Sequence, residues 1–559
     1  MKKITTYLSA FALLLTINGC QDEFLEVLPA DNAVVDAFYR NEAEIKTVTA
    51  SLYGRPWFSF NDKFSWAAGD GLAGDLYNDY QDEGQFFFFT FTDANSIVSG
   101  AWGSLYSVIA RTNVIINDMP RIASSYGVND EVINAGVAEA KFFRAFAYYF
   151  LTEYWGDVPV VTNPTQLISD DNLDLPKNTR ESIYQFIVSD LEFAAEHLPG
   201  SDQPGRLTSW SAKGLLSKIY LTMGSNLSSG DAAAHFAKAM ELADDVIMNS
   251  GAELMENYED LFKVENENNA ESLFALQWIS GAWGTGNSRQ AVFARSSLIT
   301  GNSEAWGGGK SMTYDFVRAL DANDGAEDSV FEDLRRPAIF MMNGDVYPNI
   351  NSKEGGYEYH IVNTDDNGDQ LEYKAPVCNN VRKYIVGTQD DIGAPVVNQA
   401  TPLNQYMLRL ADVYLIYAEA AIGTGSSTTD AKALQYYNAI RSRAGLDTRA
   451  VITYADILRE RRVEFAAEGI NWLDVKRLYY RDEAGALAYL NNQRRAHTVV
   501  LPDGSTADAN DESAYIAEAP ESPVVVSPED MFLPVPVTEL INNPNLGPDA
   551  EAVPFEIPQ

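Results

Sequence analysis

The chain runs to 559 residues with 46% hydrophobic and 12% aromatic content, long enough to bury a large core without cross-links. Its 79 acidic residues against 40 basic ones leave a formal charge of −39, which excludes nucleic acid as a partner because phosphate binding needs a basic face. The same acidity disfavours strongly anionic polysaccharides and reads as a solvating surface.

The N-terminus opens with Lys2 and Lys3, continues through an apolar stretch from Leu8 to Ile17, and reaches Asn18-Gly19-Cys20. This is the layout of a secretory signal, too short for a spanning helix. A small residue before a cysteine is what bacterial lipoprotein processing reads. The expectation is a signal peptide over residues 1–19 and a lipid on Cys20. The other cysteine is Cys378, so acylation of Cys20 excludes an intramolecular disulfide. No second apolar run of about twenty residues follows, so the mature chain is expected to be anchored to a bilayer without crossing it.

Further along, Trp57 and Trp66 flank a loop-like stretch, and Asp75-Leu76-Tyr77-Asn78-Asp79-Tyr80 is strongly polar. Phe86 to Phe89 reads as a buried strand. Helices are predicted over about 97–118, 180–198, 209–224 and 232–250. Between the first two, Phe143, Phe146, Ala147, Phe150, Leu151 and Tyr154 mark one helix face, stopped at Gly156-Asp157-Val158-Pro159. Residues 256–404 lose this periodicity and become rich in Gly, Asn and Asp. Leu410, Val413, Tyr414, Tyr417, Ala418 and Ala421 restore it, with further helices over about 430–444 and 453–480 and a proline-rich tail from about 490. The predicted fold is mostly α. Paired helices of the solenoid kind form a scaffold over about 30–255 and 405–480, carrying a loop-rich insertion over 256–404. With an irregular C-terminal region over about 490–559, residues 20–559 read as a single domain.

No catalytic constellation emerges. His197, His235, His360 and His497 are scattered, and HExxH, GxSxG and phosphate-loop patterns are absent; Gly307-Gly-Gly-Lys-Ser311 reads as a flexible loop. Among 79 acidic residues some pair always lies at a glycosidase-like spacing, so carboxylate pairs carry no weight. Glu460, Glu464 and Glu468 recur every four residues with Arg461 and Arg462 between them, which reads as structural ion pairing. Asp365, Asn367 and Asp369, and Asp321-Ala-Asn-Asp-Gly325, hold hard oxygen ligands suited to calcium. Both runs lack the closing Glu of an EF-hand and read as turns, so no cofactor is expected.

Sugar binding asks for flat aromatic faces with amides and carboxylates nearby. Trp283 and Trp306 sit among glycines in the insertion, and Tyr77, Tyr80, Trp66 and Asn78 sit in the polar N-terminal stretch, so these six are the candidate glycan contacts.

Several separated stretches, in order, resemble the SusD/RagB outer-membrane lipoproteins of Bacteroidota. They begin with Cys20-Gln-Asp-Glu-Phe-Leu25 and Pro29, Trp102-Gly-Ser-Leu-Tyr106 with Arg111-Thr-Asn113, and Glu139 to Phe150 followed by Tyr154-Trp-Gly-Asp-Val-Pro159. Arg409 to Glu419, Asn438 to Gly445, Glu460 to Glu464, Glu468 to Asp474, Phe532 to Pro536 and Asn543 to Leu546 continue the likeness. Asn471 departs from it, standing where the family often has arginine. Trp102, Trp155 and Trp472 lie inside these motifs and read as packing residues. The resemblance implies tetratricopeptide-like helix pairs and a place on the cell surface. It also implies a partner, a SusC-type TonB-dependent transporter that receives poly- or oligosaccharide from the lipoprotein. A neutral β-glucan such as laminarin suits the acidic surface. The alternatives are a surface glycoside hydrolase and a lid for peptide uptake.

Overall fold

A computed structural model describes residues 38–169, 173–227, 230–301, 303–306, 310–324, 333–360, 363–364, 370–372, 379–495, 497–498, 515–516 and 524–557. Cys20, Cys378 and the run Asp365 to Asp369 lie outside the described residues.

Seven helices make the scaffold: α1 Ser96–Ser125, α2 Asp130–Trp155, α3 Arg180–His197, α4 Ser209–Ser225, α5 Ala232–Asn249, α6 Leu410–Ile422 and α7 Ala431–Arg443. Their starts are written locally. Asn95 caps α1 through the N–H groups of Ile97 and Val98, Asn129 caps α2, and Thr208 with Ser211 closes a capping box on α4. Each helix packs on the one before it, and this continues from α5 to α6 although residues 250–409 lie between them in sequence. The insertion therefore leaves and rejoins an unbroken stack. Its two ends are zipped together by the antiparallel strands β1 Ser272–Leu276 and β2 Gln405–Arg409.

The predicted helix over 453–480 is two helices, α8 Tyr454–Glu464 and α9 Asn471–Arg481. The break between them passes through left-handed Ala467 (φ 59°) and Gly469 (φ 85°). Phe86 to Phe89 is also corrected, from strand to the end of the helix Gln81–Phe88 with left-handed Phe89 as its cap. A strand would turn alternate rings outward, whereas this helix buries Phe86 and Phe87 together.

Buried ion pairs bind the insertion to the scaffold. Arg409 meets Glu271 at 2.8 Å, Glu464 at 2.5 Å and Glu468 at 2.9 Å, while Arg335 meets Glu460 at 2.7 Å and Glu464 at 2.9 Å. Lys383 reaches Glu468 at 3.0 Å. Glu460 and Glu464 on α8, and Glu468 in the break beyond it, thus form ion pairs, but with cations distant in sequence. Arg461 turns instead to Asp412 and Asp474, and Arg462 to Asp75 and Asp315.

Candidate functional site

The stretch Phe58 to Trp66 is the beam on which the candidate site is assembled. It is helical with a wide π turn over Phe60–Phe64, a register that recurs at functional sites. Three exposed aromatic residues are tied to it directly or through one neighbouring element. Trp283 is 53% exposed, sits between Gly281 and Gly284, and packs edge-to-face on Phe58 with ring centres 4.8 Å apart. Trp306 is 58% exposed and is tied by its backbone N–H to the Ala291 carbonyl at 2.6 Å. Ala291 lies in the short helix Arg289–Phe293, and Ser288 just ahead of it donates to Asp62 at 2.5 Å. Tyr80 is 57% exposed and stands by the beam's Lys63.

The other three predicted contacts are not surface groups. Trp66 is enclosed, its Nε1–H donated to the Asp62 carbonyl at 2.8 Å and its ring 5.1 Å from the Lys310 ammonium. Tyr77 is buried in a strand pair with Ser311, its ring edge-on to Phe87 at 5.2 Å. Asn78 is buried, accepting the Tyr80 N–H at 3.0 Å and donating to Glu83 at 3.0 Å. Their polar neighbours suggested exposure, but those neighbours are consumed by partners distant in sequence. Asp75 is taken by Arg462 and Asn471. Of the three, Asn78 holds the Tyr80 backbone in place.

Glu83 forms ion pairs with two cations, Lys63 at 2.8 Å and the buried Lys310 at 3.0 Å. Burial alone would raise the pKa of Glu83; the two ammonium groups outweigh it and hold the carboxyl below its ordinary range. Of the run Gly307-Gly-Gly-Lys-Ser311, Gly307 to Gly309 lie outside the described residues, while Lys310 is buried in its ion pair and Ser311 is in a strand.

Two polar residues missed in the sequence complete the rim. Asn398 donates to the Gly281 carbonyl at 3.1 Å, and the Gln399 N–H donates to Glu304 at 2.8 Å. Both are left-handed at φ 56°, a conformation costly for glutamine and found disproportionately at binding sites. The only sequence signal was an Asn-Gln dipeptide shortly after Pro395. The aromatic face is open: none of its three rings lines the deep clefts around Arg206, His235 and Phe532.

Among the described residues no group of three or more His, Cys, Asp or Glu is placed to hold a metal, and no helix is long and apolar enough to cross a membrane. What the arrangement offers is stacking surface, a paired set of charges, and amides at the edge.

Compared with known proteins, residues 270–547 match the SusD family. Residues 23–221 match the family described as starch-binding and associating with the outer membrane. A SusD-like protein of Bacteroides ovatus is 35% identical over 98% of this chain and 97% of its own. SusD-like protein P2 of Formosa agariphila is 26% identical over 96% of this chain and 97% of its own. A crystal structure with xylogluco-oligosaccharide is similar at 34% identity and a TM-score of 0.79, covering 92% of this chain and all of that one. A laminarin-binding SusD-like protein shares the fold at 22% identity and a TM-score of 0.65, covering 90% of this chain and 98% of that one.

Proposed function

Because the chain belongs to the SusD family, a family of carbohydrate-binding proteins associated with the outer membrane and not of enzymes, we propose that it captures a neutral β-glucan at the cell surface. It passes this glycan to a SusC-type TonB-dependent transporter. The observation that carries the reading is the exposure of Trp283, Trp306 and Tyr80 about the Phe58–Trp66 beam, where Glu83 pairs with Lys63 and Lys310. Aromatic faces stack on the C–H side of a pyranose, and the Asn398 and Gln399 amides supply hydroxyl partners. The structure holding a xylogluco-oligosaccharide supports a β-glucan, and makes that oligosaccharide the first probe with laminarin beside it.

Each ring is expected to contribute on the order of 1 kcal/mol beyond its buried area. Trp283→Ala with Trp306→Ala is therefore expected to weaken binding at least about tenfold in calorimetric titration, with circular dichroism confirming the fold. A folded double variant that binds as the wild type does removes these rings from the site.

Anchoring and partner are read together from native membranes. The wild-type chain is expected to take up labelled fatty acid on Cys20 and to co-purify with a TonB-dependent barrel. Label persisting in Cys20→Ala, or recovery of the lipoprotein alone in mild detergent, counts against the respective half of the reading.

A further inference from the structure

A second concave site lies away from the aromatic face. The loop 200–208, the first turn of α4, the turn at 250–252 and β1 line an open cleft of about 260 Å³. That is just below the size of pockets that take drug-sized ligands, so its occupant is small.

Its lining combines hydroxyls from Ser201, Thr208 and Ser250 with amides from Gln203 and Asn268 and the indole of Trp210. The two charged side chains at its edge are already spoken for. Asp202 accepts from Lys46 at 3.2 Å, and Arg206 donates to Glu139 at 3.0 Å and to Thr49 at 2.9 Å. A neutral, hydroxyl-rich ligand fits such a wall better than an ion does.

The wall is built in advance. Asn268 is left-handed at φ 54°, and its amide is locked face to face with Gln277, donating at 3.1 Å and accepting at 3.0 Å. Gly205 lets the loop lie against this amide pair. A Cβ there would fall 2.7 Å from Gln277 Oε1 and 3.0 Å from Asn268 Nδ2, on a backbone at φ 85°. Trp210 is half-buried with the Lys213 ammonium 4.6 Å from its ring centre. Trp57, Trp66 and Trp155 each donate Nε1–H to a backbone carbonyl; among the described residues the Nε1–H groups of Trp210 and Trp278 have no such acceptor.

The same segment serves both sites. Gln277 backs the cavity through Asn268, its neighbour Trp278 packs on Phe58 at 6.3 Å, and Phe58 carries Trp283. We propose that this cavity is a second glycan site that takes one neutral sugar residue, separate from the Trp283–Trp306 face. The inference rests on the reading of the protein as a glycan binder. A polysaccharide engaging both sites would gain avidity from two weak contacts.

The test is fluorine NMR of the full mature chain carrying 5-fluorotryptophan, with its nine tryptophan signals assigned by single Trp→Phe substitutions. The probes are glucose, xylose, galactose and mannose at up to about 50 mM, well above the millimolar affinity expected of a one-sugar pocket. The Trp210 signal is expected to move saturably with at least one sugar, in the wild type and equally in the folded Trp283→Ala/Trp306→Ala double variant. Ser201→Phe, at the exposed mouth, is expected to weaken that response at least tenfold. A Trp210 signal that no sugar moves, or that moves undiminished in Ser201→Phe, overturns the proposal. If Trp210 responds while xylogluco-oligosaccharide and laminarin leave Trp283 and Trp306 unmoved, the cavity stands and the aromatic-face reading fails.

Discussion

Glu267 shows what burial does to a single carboxyl. Its Oε1 accepts the Asn404 N–H at 2.7 Å, but Oε2 is buried without a partner, and burial pushes its pKa from 4.5 up to about 8 against that one hydrogen bond. The folded chain therefore keeps a proton that the unfolded chain releases, and stability falls as pH rises from about 4.5 to about 8. Glu267→Gln preserves the shape and the hydrogen bond without the titration. It is expected to be more stable than the wild type at pH 8, by at most about 4 kcal/mol at 1.36 kcal/mol per pKa unit, with the gain vanishing near pH 4.5. Urea unfolding at the two pH values checks this; an equal gain at both assigns the effect to packing. The aromatic residues teach a related lesson. Trp66 and Trp283 have similar glycine-rich, polar neighbours in sequence, yet one is walled in beside Lys310 and the other stands open on Phe58. Exposure is decided by partners that local composition does not contain.

At the scale of elements, the break between α8 and α9 is the feature that periodicity concealed. Helix-like spacing runs through it because both helices face the same core, but Gly469 at φ 85° turns the chain so that it meets the beam's continuation at Gly69. A Cβ on Gly69 would lie 2.2 Å from the Gly469 carbonyl oxygen, backbone against backbone. Gly69→Ala is expected to cost about 3 kcal/mol, since neither partner has a rotamer with which to yield. Gly103→Ala, in α1 where a Cβ meets nothing within 4 Å, is expected to stabilise by about 0.5–1 kcal/mol through helix propensity. Thermal unfolding of both variants checks the pair. A Gly69→Ala protein that melts with the wild type would mean that beam and break are not in contact.

Across the whole molecule, the buried ion pairs make insertion and scaffold one cooperative unit. For Glu464, burial favours the neutral acid, but Arg443, Arg409 and Arg335 outweigh it and hold the carboxyl far below its ordinary range. Asp412 is held down in the same way, against burial, by Lys218 and Arg461. Groups depressed in this way contribute stability above the ordinary carboxylate pKa and lose it as pH falls through their folded values. The chain is therefore expected to lose stability steadily below about pH 4.5, in a single transition seen alike by tryptophan fluorescence and circular dichroism. Arg409→Ala removes a cation shared by Glu271, Glu464 and Glu468, which keep Arg443, Arg335 and Lys383 as partners, and is expected to cost about 3 kcal/mol. An insertion that melts separately from the helices would break this account.

The sequence by itself determined most of the scaffold helices, because a 3.6-residue apolar rhythm is a local fact. It also determined the family, through motifs spread along the chain from Cys20 to Asn543. Only the tertiary structure decided which aromatics face outward, where α8 stops, and that Glu464 pairs with Arg335 and Arg409 ahead of its sequence neighbours. Each of those outcomes depends on atoms brought together across long stretches of chain, where burial and charge neutralisation override local preference.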